Sequence, residues 1–324
     1  MTFLSIIIPC YNVEDYLPAT LRSLTQLKDA EDCEFIFVND GSTDNTLTLL
    51  HDFVNKDKRA ILIDQNNQGV SAARNRALGS VQGEYILCLD GDDYLHTNTI
   101  TIIKQHLHHA DALLSPCIVK KNGRDVVQNL HFDEGIYTIE QLYKSCLVFP
   151  TAPMIVYSSS IILSNHLRFS ADIKSGEVYD FTVAFFQYAQ TISVTATGFY
   201  HYIMRESSAT HRPNYEADMS VLNIMKHFDA ISHDWAKTTS FLLTEFKIIT
   251  SFTYNKYIRN NLRTNEAIDT VQQLLSNSHF QTLLAILSNK SIDVKNKLFI
   301  LYLKYMPIKL GYLLCTYMEK IIKL

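Results

Sequence analysis

Short, largely apolar runs alternate with helical patterns over the first hundred residues. The runs Leu4–Pro9, Glu34–Asn39, Ala60–Asp64 and Tyr85–Leu89 predict strands buried on both faces. Between them Leu17, Leu21 and Leu24, and then Leu47, Leu50 and Val54, recur at spacings of three and four, the period of a helix with one buried side. Ser71–Leu78 reads as a third helix, and Asp44 stands where the second helix needs an N-cap. The order β-α-β-α-β-α-β predicts an α/β, Rossmann-like domain: a doubly wound, mostly parallel sheet.

From about Ala110 to His211 the pattern is mixed. Met154–Tyr157 and Ile192–Thr195 read as short strands on either side of a helical run, Tyr179–Ala189. Beyond Asn214 the stretches Val221–Phe228, Phe241–Phe252 and Ala267–Leu275 carry apolar residues at helical spacing, predicting a mostly helical C-terminal region. A boundary near Pro213 divides the chain into domains over 1–212 and 213–324.

Composition narrows the class. With 324 residues and 47% hydrophobic content, the chain can fill one large or two ordinary globular cores. A net charge of -4 offers no electrostatic case for nucleic acid. None of the cysteines (Cys10, Cys33, Cys88, Cys117, Cys146, Cys315) is at CxxC spacing and several lie in apolar runs, so buried thiols in a reducing compartment are expected. The first strand begins at Leu4, leaving no room for a signal peptide, and a cytoplasmic protein is expected.

The fourth apolar run carries the most informative chemistry. Glu84–Leu95 reads EYILCLDGDDYL and ends in Asp90, Asp92 and Asp93. Carboxylates this close repel unless a cation sits among them, and the C-terminal edge of a parallel sheet is where such folds bind ligands. A solvated Asp-rich turn is the plainer alternative. The other strands end in polar groups too: Pro9-Cys10-Tyr11-Asn12 with Glu14, then Asn39-Asp40-Gly41-Ser42-Thr43-Asp44, then Asn66-Asn67-Gln68-Gly69 ahead of Arg74 and Asn75. Each alone is ordinary turn chemistry; four at one sheet edge point to a site.

Taken together, IIIPCYNVEDYL, FVNDGSTDNT, NNQGVSAARNRAL and YILCLDGDDYL resemble family 2 glycosyltransferases with the GT-A fold, closely over about 3–96 and less tightly to about 212. The resemblance implies a nucleotide-sugar donor, with Pro9, Tyr11, Asn12, Glu14, Asp40, Asn67, Gly69, Arg74, Asp90, Gly91 and Arg205 on the donor side. Tyr11 would stack on the base, Asp40 would accept the N3–H of uracil, and Arg205 with His211 would bind phosphate. It also implies Mn²⁺ or Mg²⁺ held by Asp90, Asp92 and His201, with Asp93 capping the turn or orienting the sugar. The clustered His106, His108 and His109 read as a solvated helix end.

The catalytic base departs from the family pattern. LRFSADIKSGEVYDFTVAFF aligns with the family's Gly-Glu-Asp segment, but Val178 takes the Asp position and cannot accept a proton. Glu177 and Asp180 are the carboxylates within reach, and either serves as base if it projects into the site. The expected function is a metal-dependent, inverting hexosyl- or N-acetylhexosaminyltransferase. It would move a sugar from a UDP-sugar to an oligosaccharide or lipid-linked glycan of a bacterial surface polysaccharide: lipooligosaccharide, O-antigen or capsule. A nucleotide-sugar-binding or scaffolding relative without a base is the alternative. A nucleotidyltransferase ranks lower, because PCYN stands where a Gly-rich basic loop would be needed. Residues 292–324 carry six lysines, and Lys304, Pro307, Lys309 and Gly311 interrupt every apolar run before it is long enough to span a bilayer. Peripheral contact with the inner membrane, packing on the catalytic domain and a homodimer interface all fit that pattern.

Overall fold

The computed structural model describes residues 1–121, 124–128, 130, 132–145, 155–203, 223–224, 227–228, 231–250, 272–290 and 297. The chain divides into two compact units, one of Met1–Ser145, Pro150–Ala171 and Glu177–Arg205, the other of Cys146–Phe149, Asp172–Gly176 and Glu206–Leu324. The expected boundary at Pro213 lies outside the described residues.

The first unit opens with the anticipated alternation: β1 (Leu4–Cys10), α1 (Leu17–Thr25), β2 (Cys33–Asp40), α2 (Thr46–Val54), β3 (Ala60–Gln65), α3 (Val70–Leu78) and β4 (Tyr85–Cys88). It continues with β5 (Tyr94–Leu95), α4 (Thr99–His106), β6 (Ala112–Leu114), β7 (Cys117–Lys121), β8 (Arg124–Val127), β9 (Gly135–Thr138) and α5 (Ile139–Ser145). Then come β10 (Ile155–Ser158), α6 (Ser159–Ser164), α7 (Glu177–Phe186), β11 (Thr191–Val194) and β12 (Tyr200–Tyr202). Met154, the expected first residue of β10, is not among the described residues.

Eight strands form one sheet in the order β3-β2-β1-β4-β10-β6-β11-β9. The first four are parallel; β10 runs antiparallel between β4 and β6, and β9 antiparallel on β11. The sheet is therefore mixed, its parallel half the part legible from apolar runs. Ile6, Ile8, Phe35, Phe37 and Leu87 are wholly buried in its core. Each such side chain is worth about 1.5–3 kcal/mol of burial, which fixes the register of the central strands.

That register creates the site. Pairing of β1 with β4 ends at Ile7 opposite Cys88, whereas β1 and β2 pair on to Cys10 opposite Asn39. The chain leaving β4 is thus released three residues before β1 ends, and it turns beside Pro9 and Cys10. A smaller sheet, β5-β12-β7-β8, follows that turn, with Tyr200 opposite Leu95 and His201 opposite Tyr94. The N-cap of α2 is Asn45 and not the expected Asp44, although the Asp44 carboxylate does accept the Thr46 N–H at 3.0 Å.

In the second unit α8 (Thr239–Thr250) and α9 (Ser278–Ser288) enclose Leu243, Phe246, Ile249, Phe280, Leu283, Leu284 and Leu287. Asn277 caps α9 through its side chain, which accepts the Phe280 N–H at 3.0 Å. Of the other expected helices, residues 223–224, 227–228 and 272–276 are described and helical. Among the described residues no helix is long and apolar enough to cross a membrane, and Cys10, Cys33, Cys88 and Cys117 are buried free thiols. Cys146, Cys315 and, Lys297 apart, the lysine-rich segment 292–324 lie outside the described residues.

Candidate active site

The loops after β1 and β2 are tied to each other. Asn12 donates its N–H to Ser42 Oγ at 3.1 Å and accepts the Thr43 N–H at 2.8 Å. Glu14 accepts from the Asn45 N–H at 2.9 Å and from Asn45 Nδ2 at 2.8 Å. Asp44 Oδ2 closes the circuit by accepting the Glu14 N–H at 3.1 Å. Asn12 and Glu14, expected to touch donor, use these groups to make a rigid platform. Tyr11 stands above it, half-exposed and open for stacking.

Asp40 ends β2 as expected but is also a structural anchor. Its Oδ1 accepts from Gln65 Nε2 at 2.8 Å and the Gln68 N–H at 2.9 Å, and its Oδ2 accepts the Gly69 N–H at 2.8 Å. These bonds hold the loop carrying Asn67 and Gly69, both exposed, against the end of β2. Gly41 is demanded here: its φ is +70°, and a Cβ would lie 2.6 Å from Asn67 N. With three bonds made, the carboxylate has acceptor capacity left for about one more donor.

The carboxylate turn packs on the end of β1. A Cβ on Gly91 would meet Cys10 Sγ at 2.9 Å and Pro9 O at 3.1 Å, so only glycine lets Asp90 and Asp92 flank this point. Thr20 of α1 pins the turn, its hydroxyl 3.0 Å from Gly91 O and 2.6 Å from Asp93 O. Asp93 is buried and accepts from Tyr200 Oη and the Ile203 N–H, both at 2.7 Å. Burial first, then the charges of Asp90 and Asp92, push its carboxyl up to about 8. Asp93 therefore braces the turn, while Asp90 and Asp92 are both half-buried.

Arg74 joins three elements. One guanidinium nitrogen is 2.8 Å from Asp90 Oδ1 and the other 2.8 Å from Glu177 Oε1. The side chain is 4% exposed, against 35% for Asp90 and 14% for Glu177. Burial works against its charge, but Asp90 and Glu177 outweigh burial and hold it above the ordinary arginine value. Phe169 lies under the guanidinium at 5.3 Å and stacks on Phe181 of α7 at 4.0 Å. Asn75 grips the Phe169 backbone at both N and O, each at 2.8 Å.

The remaining expected residues divide. Asp180 is on α7, one turn after Glu177, and 6% exposed; Val178 is half-buried between them. The structure does not bring His201 into a ligand group with Asp90 and Asp92 among the described residues; its ring stacks on Tyr94 at 4.4 Å. Strand alternation is the reason, since Tyr200 takes the face toward the carboxylates and its neighbour must take the other. Arg205 and His211 lie outside the described residues. Sequence reasoning missed Tyr200, Thr20 and Phe169. Nothing local in the sequence marked any of the three.

Residues 5–166 match the family described as Glycosyl transferase family 2. The chain belongs to this family. Among curated members, poly(ribitol-phosphate) beta-N-acetylglucosaminyltransferase TarS of Staphylococcus aureus is 30% identical over 227 residues, 68% of this chain and 39% of TarS. Poly(ribitol-phosphate) beta-glucosyltransferase of Bacillus spizizenii is 33% identical over 209 residues, 62% of this chain and 32% of that enzyme. The chain thus spans about two-fifths or less of these relatives' length. The crystal structure of S. aureus TarS 1-349 in complex with UDP-GlcNAc shares the fold, with a TM-score of 0.73 at 23% identity, covering 96% of this chain and 89% of that one. The family's GT-A fold is the one seen here.

Proposed function

We propose that this family 2 member transfers a hexosyl or N-acetylhexosaminyl group from a UDP-sugar to a hydroxyl of a bacterial surface polymer, with inversion at the anomeric carbon. The observation that carries the reading is the turn Asp90–Asp93, delivered to the open edge between β1 and β4 with Asp90 clamped by Arg74. The names of the relatives support the substrate classes: both act on poly(ribitol-phosphate), and TarS has been crystallised with UDP-GlcNAc.

The residues fit a divalent cation. Arg74 bonds one oxygen of Asp90, and Asp90 Oδ2 has no hydrogen bond among the described residues, which leaves that oxygen open to a cation. Among the described residues no group of three His, Cys, Asp or Glu is arranged to hold a metal. Mg²⁺ binds through one or two carboxylates plus substrate phosphates, and oxygen ligands suit Mn²⁺ as well. Asp90 and Asp92 would hold the ion, which when bound neutralises charge on the departing diphosphate.

Tyr11 supplies the stacking surface for the base, and Asp40 the remaining acceptor beside it. In the transfer the acceptor oxygen forms a bond to the anomeric carbon as the bond to the diphosphate breaks. UDP leaves with the electron pair and Asp180 receives the acceptor's proton. Glu177 is bonded to Arg74, and Asp180 is the other carboxylate on α7. Its low exposure in the free chain does not bar it, since catalytic hydrogen bonds often form only with substrates in place.

The test is UDP release from a panel of UDP-sugars with Mn²⁺, offering poly(ribitol phosphate), lipooligosaccharide, O-antigen and capsule fragments as acceptors. Turnover should vanish in chelator and in Asp92→Asn, and the acceptor that supports it names the polymer. Turnover that persists in chelator refutes the cation. Binding of UDP-sugar without turnover on any acceptor supports the second reading, a nucleotide-sugar-binding relative, which Val178 motivates.

A further inference from the structure

Glu177, Arg74 and Asp90 come from α7, α3 and the turn after β4, 103 and 16 residues apart along the chain. They meet in one row with Arg74 buried at its centre, the guanidinium forked between two carboxylates at 2.8 Å each. The fork matters because a single bond to Asp90 would leave the guanidinium free to swing about it. The second bond, to Glu177, sets its plane. Phe169 closes one face of that plane, and Phe181, one turn after Glu177 on α7, backs Phe169 in turn. The row thus runs from α7 through Arg74 to a single oxygen of Asp90.

We infer that Glu177 is a positioning residue: through Arg74 it holds Asp90 in the rotamer that offers its second carboxylate oxygen to a cation, and it is not the acceptor base. A proton on Glu177 would strip the buried guanidinium of one of its two counter-charges, which a base cycling through protonation at every turnover would do repeatedly. The assignment rests on the donor-site reading above.

The deciding measurement is calorimetric binding of UDP to the full chain, with Mn²⁺ and separately in chelator, for wild type, Glu177→Gln, Arg74→Lys and the double variant. Loss of an outer partner that orients a metal ligand typically costs about 10–100-fold in metal affinity. Each single variant should therefore weaken Mn²⁺-assisted UDP binding by about 10–100-fold, weaken binding in chelator by less, and combine non-additively in the double variant. In the pH profile of kcat, Glu177→Gln should keep the acidic limb of wild type.

An unchanged Mn²⁺-assisted affinity in Glu177→Gln overturns the inference. So does a collapsed kcat with the acidic limb lost, which would make Glu177 the base, and so does additivity in the double variant. Should Glu177→Gln lack a cooperative melt, Glu177→Asp replaces it: the shorter carboxylate cannot reach Arg74 unchanged and must show the same loss of affinity. If wild type turns over no acceptor, the proposed function fails, while the binding measurements still decide the clamp.

Discussion

Arg74→Ala removes the cation that balances two carboxylates, and the structure sets the size of the effect. Arg74 is 4% exposed, so its loss leaves Glu177, at 14%, facing a vacated interior space. Breaking a buried pair from one side costs about 3–5 kcal/mol. Asp90 is 35% exposed, and water screens and rehydrates it at little cost, which brings the expectation to about 3 kcal/mol. For a unit of this size each kcal/mol moves Tm by about 2–4 °C, so scanning calorimetry of the full chain should show a transition lowered by about 6–12 °C. The double variant Arg74→Ala with Glu177→Gln no longer strands the more buried charge and should recover part of the loss. An unshifted transition, or a double variant no more stable than the single, refutes the view of Arg74 as a buried counter-charge.

Three further outcomes are expected. Gly41→Ala forces a side chain into a left-handed backbone 2.6 Å from Asn67 N, and it should cost on the order of 2 kcal/mol in urea unfolding; an unchanged midpoint would mean the loop yields freely. His201 is held below the ordinary histidine value by burial, which Asp125 opposes and His96 and Lys120 reinforce. The unfolded chain then binds the proton more readily than the folded one, so this share of stability is complete above about pH 6.5 and is lost as pH falls through the lower folded value. His201→Phe should flatten that acid limb in urea midpoints measured across the range; a limb of unchanged steepness rules His201 out as its source. Asp180→Asn should lower kcat by about 10²–10⁴ with UDP affinity retained, and near-normal turnover would remove Asp180 from the reaction.

The four parallel strands and their helices were legible because their cause is local. A strand buried on both faces must be apolar at nearly every position, and a helix between two parallel strands repeats its buried side every three to four residues. Parallel strands joined by crossover helices end at one edge, so the gathering of Tyr11, Asp40, Asn67 and Asp90 there followed from element order alone. The antiparallel insertion of β10 between β4 and β6 was not legible, because a short apolar run carries no mark of direction.

By itself, then, the sequence determined the α/β alternation and the edge at which chemistry gathers, each a consequence of neighbours along the chain. Tertiary structure decided the partnerships. Arg74 meets Glu177 across 103 residues, Asp90 meets Tyr200 across 110, and Asn75 grips Phe169 across 94. No local pattern encodes which buried carboxylate receives a given cation; that depends on where packing brings α3, α7 and β12. The same packing made Asp40 an anchor for the loop above it as well as a ligand candidate. It also set the phase of β12, turning Tyr200 toward the carboxylates and His201 away, because one step along a strand reverses the face a side chain takes.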